Sequence, residues 1–160
     1  MCNIKYGFEP VFDEDSRVLI LGSFPSVKSR KVEFYYGNRQ NRFWNILCGF
    51  FGEDIPESTE GKISFLRRNG IALWDIVTEC EIVGSDDSSI KNYKVADIFK
   101  VLNKSNVGLI MLNGGKAYEI FKRYYGNIDI PFIKLPSTSP ANTRCDAEQW
   151  RSALGEMFNK

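Results

Sequence analysis

Four short segments of the chain are apolar almost throughout and are bounded by Gly, Asn or Pro: Arg17 to Leu21, Ile71 to Trp74, Val107 to Leu112 and Pro131 to Leu135. Runs of this kind, without polar alternation, fit strands whose sheet is covered on both faces. Elsewhere the apolar positions change period. Asn41 to Phe51, Glu60 to Arg68, Val95 to Lys104 and Lys116 to Tyr125 read as helices, and in the third Val95, Ile98, Phe99 and Leu102 are expected to form the buried stripe. A last helix is expected to begin near Asp146, where Asp146 and Gln149 have capping-box spacing, and to turn Trp150, Leu154 and Phe158 inward.

The alternation of strands and helices predicts an α/β fold in three layers, with a central four-stranded parallel sheet between helices. The polar span Glu79 to Asn92 reads as a long surface loop. No internal repeat, low-complexity tract or linker divides the sequence, so residues 1–160 are expected to form a single domain. Ligands of open parallel sheets bind outside the carboxyl ends of the strands. That rule nominates Gly22 to Asn41, Asp75 to Asn92, Asn113 to Lys116 and Pro136 to Arg144 before any motif is consulted.

Composition narrows the chemistry. With 43% hydrophobic and 14% aromatic residues the chain is not disordered, and no apolar run approaches the roughly 20 residues that cross a bilayer. Glu9, Asp13, Glu14 and Asp15 fall where a signal peptide would be basic and then apolar, so a cytoplasmic location is expected. Cys2, Cys48, Cys80 and Cys145 are scattered without a C-x-x-C pair and are expected to be reduced thiols. There is no histidine, which excludes an imidazole base, a Ser-His-Asp triad and a His-ligated metal. The net charge of +1 conceals a local asymmetry: Lys28, Arg30, Lys31, Arg39 and Arg42 stand against Glu33 alone between Val27 and Arg42. This stretch reads either as a solvated basic surface or as a phosphate contact.

The stretch LILGSFPSVKSRKVEFYYGNRQNRFW, Leu19 to Trp44, begins like a nucleotide-binding phosphate loop, with Gly22 followed by Lys28 and Ser29. A Walker A loop needs a glycine directly before its lysine and backbone N–H groups around the phosphates. Val27 occupies that glycine position, and Pro25 removes one N–H from the cradle. Asp75, after the second apolar run, would have to serve as the Walker B acid.

The same stretch, in the segments LILGSFPS and FYYGNRQNRFW, resembles the opening of the uracil-DNA glycosylase superfamily, in particular its hypoxanthine-DNA (deoxyinosine) glycosylase branch. LWDIVTECEIVGSDDSSI from Leu73, LNGGKAYEIF from Leu112 and LPSTSPAN from Leu135 match that branch in the same order. The resemblance implies a four-stranded parallel sheet between helices and a monomeric, cofactor-free and metal-free enzyme. Such an enzyme would cleave the N-glycosidic bond of a flipped-out deaminated base in DNA. It further implies Asn41 as the catalytic group that positions water, in the aromatic motif where Asn38 and Arg39 stand at the usual histidine and proline. In mismatch-specific relatives the first loop reads G-I-N-P-G, and here Phe24 takes the place of its asparagine. Gly22, Ser23, Phe24, Tyr36 and Asn113 are implied to hold the base, with Tyr36 as a stacking platform. Ser26, Lys28, Ser29, Arg39, Arg42, Pro136, Ser137, Thr138 and Ser139 are implied to contact DNA.

Each assignment has an alternative in ordinary structure. Asn41 is also a good N-cap for the helix that follows. Asn113 precedes Gly114 and Gly115 and serves equally as a turn or cap residue. Leu135 to Asn142 is a Ser/Pro loop in its own right. Asp75 is expected to orient loop backbone, and Asp86 and Asp87 to lie on the surface. A noncatalytic nucleic-acid-binding module and a degenerate phosphate-loop hydrolase are the competing functions.

Overall fold

The computed structural model describes residues 3–158. Four parallel strands, β2 (Val18–Gly22), β3 (Ile71–Asp75), β6 (Leu109–Asn113) and β7 (Phe132–Leu135), form a sheet in the order β3-β2-β6-β7. Each lies within one or two residues of its predicted run. β2 and β3 are buried along their whole length, which explains why they are apolar without alternation.

Helices α2 (Phe43–Phe51), α3 (Thr59–Arg68), α5 (Gly115–Tyr125) and α6 (Ala147–Phe158) follow the predicted segments closely. Helix α3 packs on β3, α5 packs on β6 and β7, and α2 packs on α6. Ser58 caps α3 by accepting the Gly61 N–H at 2.9 Å, and Gly52 ends α2 in the left-handed conformation at φ 69°. Leu19, Ile20, Leu21, Leu47, Phe65, Phe121 and Trp150 form the centre of the core, each 1% exposed or less. Removing one of these side chains to alanine costs about 2–5 kcal/mol.

Three elements differ from expectation. The span Glu79 to Asn92 is not one loop. It holds the end of β4 (Val77–Glu81), a 3-10 turn at Asp87–Ser89 and the start of β5 (Lys91–Val95). With β1 (Ile4–Tyr6) these strands make a second, antiparallel sheet in the order β1-β4-β5. β1 and β5 are largely exposed, so they lack the apolar runs that marked the central strands. The predicted helix at Val95 to Lys104 contracts to α4 (Phe99–Leu102), because Val95 belongs to β5. Its buried residue is Val101, while Phe99 is 45% exposed. A short helix that was not predicted, α1 (Val27–Val32), follows the first loop and is capped by Ser26.

Register decides what meets at the carboxyl edge of the parallel sheet. Gly22 pairs with Asp75, and Asn113 pairs with Leu135. The Ile76 N–H donates to the Gly22 carbonyl at 2.8 Å and the Val77 N–H to the Ser23 carbonyl at 3.1 Å. The first loop is thereby tied to the chain leaving β3. Cys48 and Cys80 are buried free thiols and Cys145 is a half-buried one, while Cys2 lies outside the described residues. No helix among the described residues is long and apolar enough to cross a membrane.

Candidate active site

A cavity of about 280 Å³ opens where β2, β3 and β6 end. Its wall is made by Gly22 to Ser26, Tyr35, Tyr36, Asn38, Asn41, Asp75, Asp87, Asn113 and the Ser137 to Ala141 segment, among others. A larger depression of about 920 Å³ lies at the opposite end of the sheet, beside Arg17 and Gly70, but it is shallower and receives none of the loops that carry the motifs.

Tyr36 holds the centre of the wall. One face of its ring stacks on Phe43 with centroids 4.1 Å apart, and its hydroxyl accepts the Asn113 Nδ2–H at 3.1 Å. Its backbone is left-handed at φ 53°, a costly conformation for a bulky residue that persists here because both ends of the side chain are held. Burial, and then the Asp75 carboxyl, push its phenol far above the ordinary range, so it remains a neutral hydroxyl.

Asn113 is 8% exposed and its amide is heavily committed. Besides Tyr36, Nδ2 donates to Thr138 Oγ1 at 3.0 Å, and Oδ1 accepts the Thr138 N–H at 3.0 Å. Both donor hydrogens are therefore in use within the protein. Asn113 joins the aromatic motif to the fourth loop. Gly114, at φ 95°, lets that loop approach: a Cβ there would lie 3.1 Å from the Ser137 Cβ.

Asn41 meets the cavity but is not the N-cap of α2: that position falls to Arg42, whose side chain makes no capping bond. Asn41 Oδ1 accepts the Phe43 N–H at 2.9 Å, ahead of α2. The turn before it is closed by Asn38, whose Oδ1 accepts the Gln40 N–H at 3.0 Å and whose carbonyl accepts the Asn41 N–H at 2.9 Å. This Asx turn supplies the stiffness that proline would give at position 39. Asn41 and Tyr36 also border a neighbouring groove of about 590 Å³ that includes Arg39.

The fourth loop is held from several sides. Trp150 Nε1–H donates to the Pro136 carbonyl at 2.9 Å, and Arg42 Nη1 donates to the Ser139 and Asn142 carbonyls at 3.2 and 2.9 Å. The Ser137 and Ser139 hydroxyls accept backbone N–H groups of Ser139 and Ala141, which leaves each hydroxyl proton for an outside acceptor.

The residues implied to contact DNA differ in exposure. Ser29 is 2% exposed and Thr138 1% exposed. Ser29 Oγ accepts the Gly37 N–H at 2.9 Å and links α1 to the aromatic motif. The Arg42 guanidinium braces the loop. Lys28 and Arg39 are exposed, whereas Ser26 is half-buried as the cap of α1. Phe24 lines the cavity from a buried position, with the Arg30 guanidinium 5.7 Å above its ring.

Two acids are brought to the site that the sequence reading left outside it. Asp75 is 5% exposed and lines the cavity, and its Oδ2 is buried without a hydrogen-bond partner among the described residues. It therefore does not orient loop backbone. Burial, reinforced by Asp87, pushes its carboxyl up to about 8. Asp87 is exposed as a residue, as expected, yet it lines the cavity and its Oδ1 accepts the Ser23 hydroxyl at 2.7 Å. Burial raises its pKa, while Ser23 and then Lys116 draw it back. The signal for Asp75 was its position at a carboxyl strand end. Asp87 lay within the nominated span Asp75 to Asn92, but its approach to Ser23 follows only from the 83–89 turn folding back onto the first loop through Val27 N–H to Ser85 Oγ and Arg30 to the Gly84 carbonyl.

Fold and cavity together define a three-layer α/β protein whose site lies at the carboxyl edge of a four-stranded parallel sheet. The chain belongs to the uracil DNA glycosylase superfamily, whose sequence model matches residues 9–155. It is 36% identical over 161 residues to a protein of Methanosarcina barkeri (strain Fusaro / DSM 804) named hypoxanthine DNA glycosylase, an alignment covering 98% of this chain and 99% of the relative. A protein of the same name from Methanosarcina acetivorans is 38% identical over 144 residues, covering 88% and 90%. The solution NMR structure of a candidate uracil DNA glycosylase from Methanosarcina acetivorans superposes with a TM-score of 0.85 at 33% identity, covering 98% of this chain and 99% of that one.

Proposed function

We propose that this protein is a monofunctional DNA glycosylase that hydrolyses the N-glycosidic bond of hypoxanthine, flipped out of DNA. What carries the reading is the convergence of Asn41, Tyr36 and the Ser137–Ser139 loop on one cavity, in a chain at least 36% identical to two proteins named hypoxanthine DNA glycosylase. It acts as a cytoplasmic monomer, with uracil and xanthine as further candidate bases.

The reaction suits a site without a strong nucleophile. Glycosidic cleavage proceeds with extensive bond breaking before water attacks, so the sugar becomes cationic and the base leaves with the bonding electrons. The site must hold the base, stabilise charge as it develops and place one water. Tyr36 offers a ring fixed on Phe43, against which the base stacks. Asn41, held by the Phe43 N–H on its Oδ1 and by the Asn38 turn, positions the water with the remaining capacity of its amide. Lys28 and Arg39, with the free hydroxyl protons of Ser137 and Ser139, contact phosphates and seat the strand. Among the described residues no lysine lines the cavity, which supports a hydrolytic route without a Schiff base to the abasic sugar.

The test is incubation of end-labelled duplexes carrying a single hypoxanthine, uracil, xanthine or mismatched thymine, in EDTA, followed by alkali. Strand breaks at hypoxanthine are expected. Folded protein that breaks none of the substrates would refute the assignment.

A further inference from the structure

Asp75 is a cavity group whose chemistry the proposed mechanism leaves unused. It ends β3 directly beside Gly22 of β2. A Cβ on Gly22 would lie 2.5 Å from Asp75 Oδ1 and 2.8 Å from the Tyr36 hydroxyl, so the glycine makes room for the carboxyl at the mouth of the site. No hydrogen bond among the described residues satisfies Oδ2. Leaving a buried carboxyl without a partner is costly, and such a group either carries a proton or awaits a ligand. The groups facing it add no positive charge: Tyr35 and Tyr36 come from the aromatic motif, and Asp87 from the 3-10 turn. Lys116, at the start of α5, acts on Asp87, and the Ser23 hydroxyl is likewise spent on Asp87.

Resting on the glycosylase reading, we infer that Asp75 is the general acid of the reaction, held protonated in the cavity and delivering its proton to N7 of the leaving purine. Burial and the neighbouring Asp87 keep the carboxyl neutral at pH 7, whereas Asp87 is anchored by Ser23. Burial raises both carboxyls, but Asp87 is drawn back by the Ser23 hydroxyl and then by Lys116, whereas Asp75 has no such partner.

The step balances. As the C1′–N9 bond breaks, its electron pair passes to the purine ring and the Asp75 proton moves to N7, so hypoxanthine departs neutral. The carboxylate left behind faces the cationic sugar. Water then bonds to C1′ and its released proton returns to Asp75, giving an abasic site and a reset enzyme. The assistance is specific to purines, since uracil has no N7.

The experiment is single-turnover excision from a hypoxanthine duplex between pH 5.5 and 9.5, for the wild type, Asp75→Asn and Asp75→Ala, with 7-deazahypoxanthine as a second substrate. The wild-type rate is expected to fall tenfold per pH unit above about pH 8. Asp75→Asn should be slower at pH 7 by roughly 100-fold or more and should lack that alkaline limb. Wild-type excision of the 7-deaza base should be slowed comparably, and Asp75→Asn should slow it little further. Equal hypoxanthine rates in wild type and Asp75→Asn, an unchanged alkaline limb in the variant, or fast wild-type excision of the 7-deaza base would each overturn the role of Asp75 while leaving the glycosylase assignment in place. A ¹³C carboxyl resonance of Asp75 titrating below pH 5 would overturn it as well. A wild type that excises hypoxanthine at no pH would overturn the glycosylase assignment and this role together.

Discussion

Asn113 and Tyr36, 77 residues apart in the chain, are joined by a 3.1 Å hydrogen bond from the Asn113 amide to the Tyr36 hydroxyl. The same amide exchanges two hydrogen bonds with Thr138. One buried side chain at the end of β6 therefore sets both the Tyr36 ring and the loop that carries Thr138. Asn113→Ala would strip the buried Thr138 N–H of its acceptor. The expected loss is about 1–3 kcal/mol, together with weaker excision. Tyr36→Phe, which removes only the hydroxyl, should cost less, and a double-mutant cycle in urea should give a coupling of about 0.5 kcal/mol or more.

The two roles of Asn41 can be separated. Asn41→Ala should lower stability by about 1 kcal/mol through loss of the bond from the Phe43 N–H to Oδ1 and slow excision by roughly 100-fold. Asn41→Ser keeps an oxygen that accepts locally from backbone, so its denaturation midpoint should return toward wild type while excision stays low. If Asn41→Ser recovered excision as well, the water-positioning assignment would be wrong.

Gly22 is the tightest position in the cavity. Since a Cβ would meet Asp75 Oδ1 at 2.5 Å and the Tyr36 hydroxyl at 2.8 Å, Gly22→Ala has to displace one of them. It is expected to cost about 1–3 kcal/mol and to depress excision more than stability. Thermal melts beside single-turnover rates would show whether the damage falls on the site.

Asp75 also leaves a mark on stability. Its carboxyl is raised from 3.8 to about 8 in the folded protein. Between those values the unfolded chain has lost the proton that the folded chain keeps, so folding takes up a proton. This group's contribution therefore falls as pH rises through the window and is constant above it. Asp75→Asn should flatten that decline and raise the melting temperature at pH 8 by roughly 3–8 °C, with a smaller gain at pH 5. A variant with the same pH dependence as wild type would show that Asp75 is ionised throughout.

DNA affinity should respond to Lys28 and Arg39 differently from Arg42. Lys28→Ala and Arg39→Ala remove exposed charges, and each is expected to lessen the slope of log affinity against log salt by about 1. Arg42→Ala removes the brace on the Ser139 and Asn142 carbonyls, so it should loosen the loop and lower excision. Fluorescence anisotropy at several salt concentrations separates the two effects.

The parallel sheet was legible in the chain because β2 and β3 are buried on both faces and so must be apolar throughout. The rule that ligands collect at carboxyl strand ends nominated loops that do line one cavity, and Asn41 and Tyr36, from one contiguous motif, both border it. The antiparallel sheet was not legible, since β1 and β5 are mostly exposed and bury no continuous face. Nor were the partnerships of the polar residues. Asn113, Ser29, Arg42 and Thr138 have side chains equally suited to DNA or to the protein's own backbone. Register and burial gave them to the protein, because a buried donor or acceptor must find a partner inside. Asp75 and Asp87 face each other only because the 83–89 turn folds back onto the first loop. The sequence by itself determined the layered sheet, the edge that carries the site and the absence of any imidazole. Tertiary structure alone decided which polar groups are spent on holding the cavity and which acid stands unpaired within it.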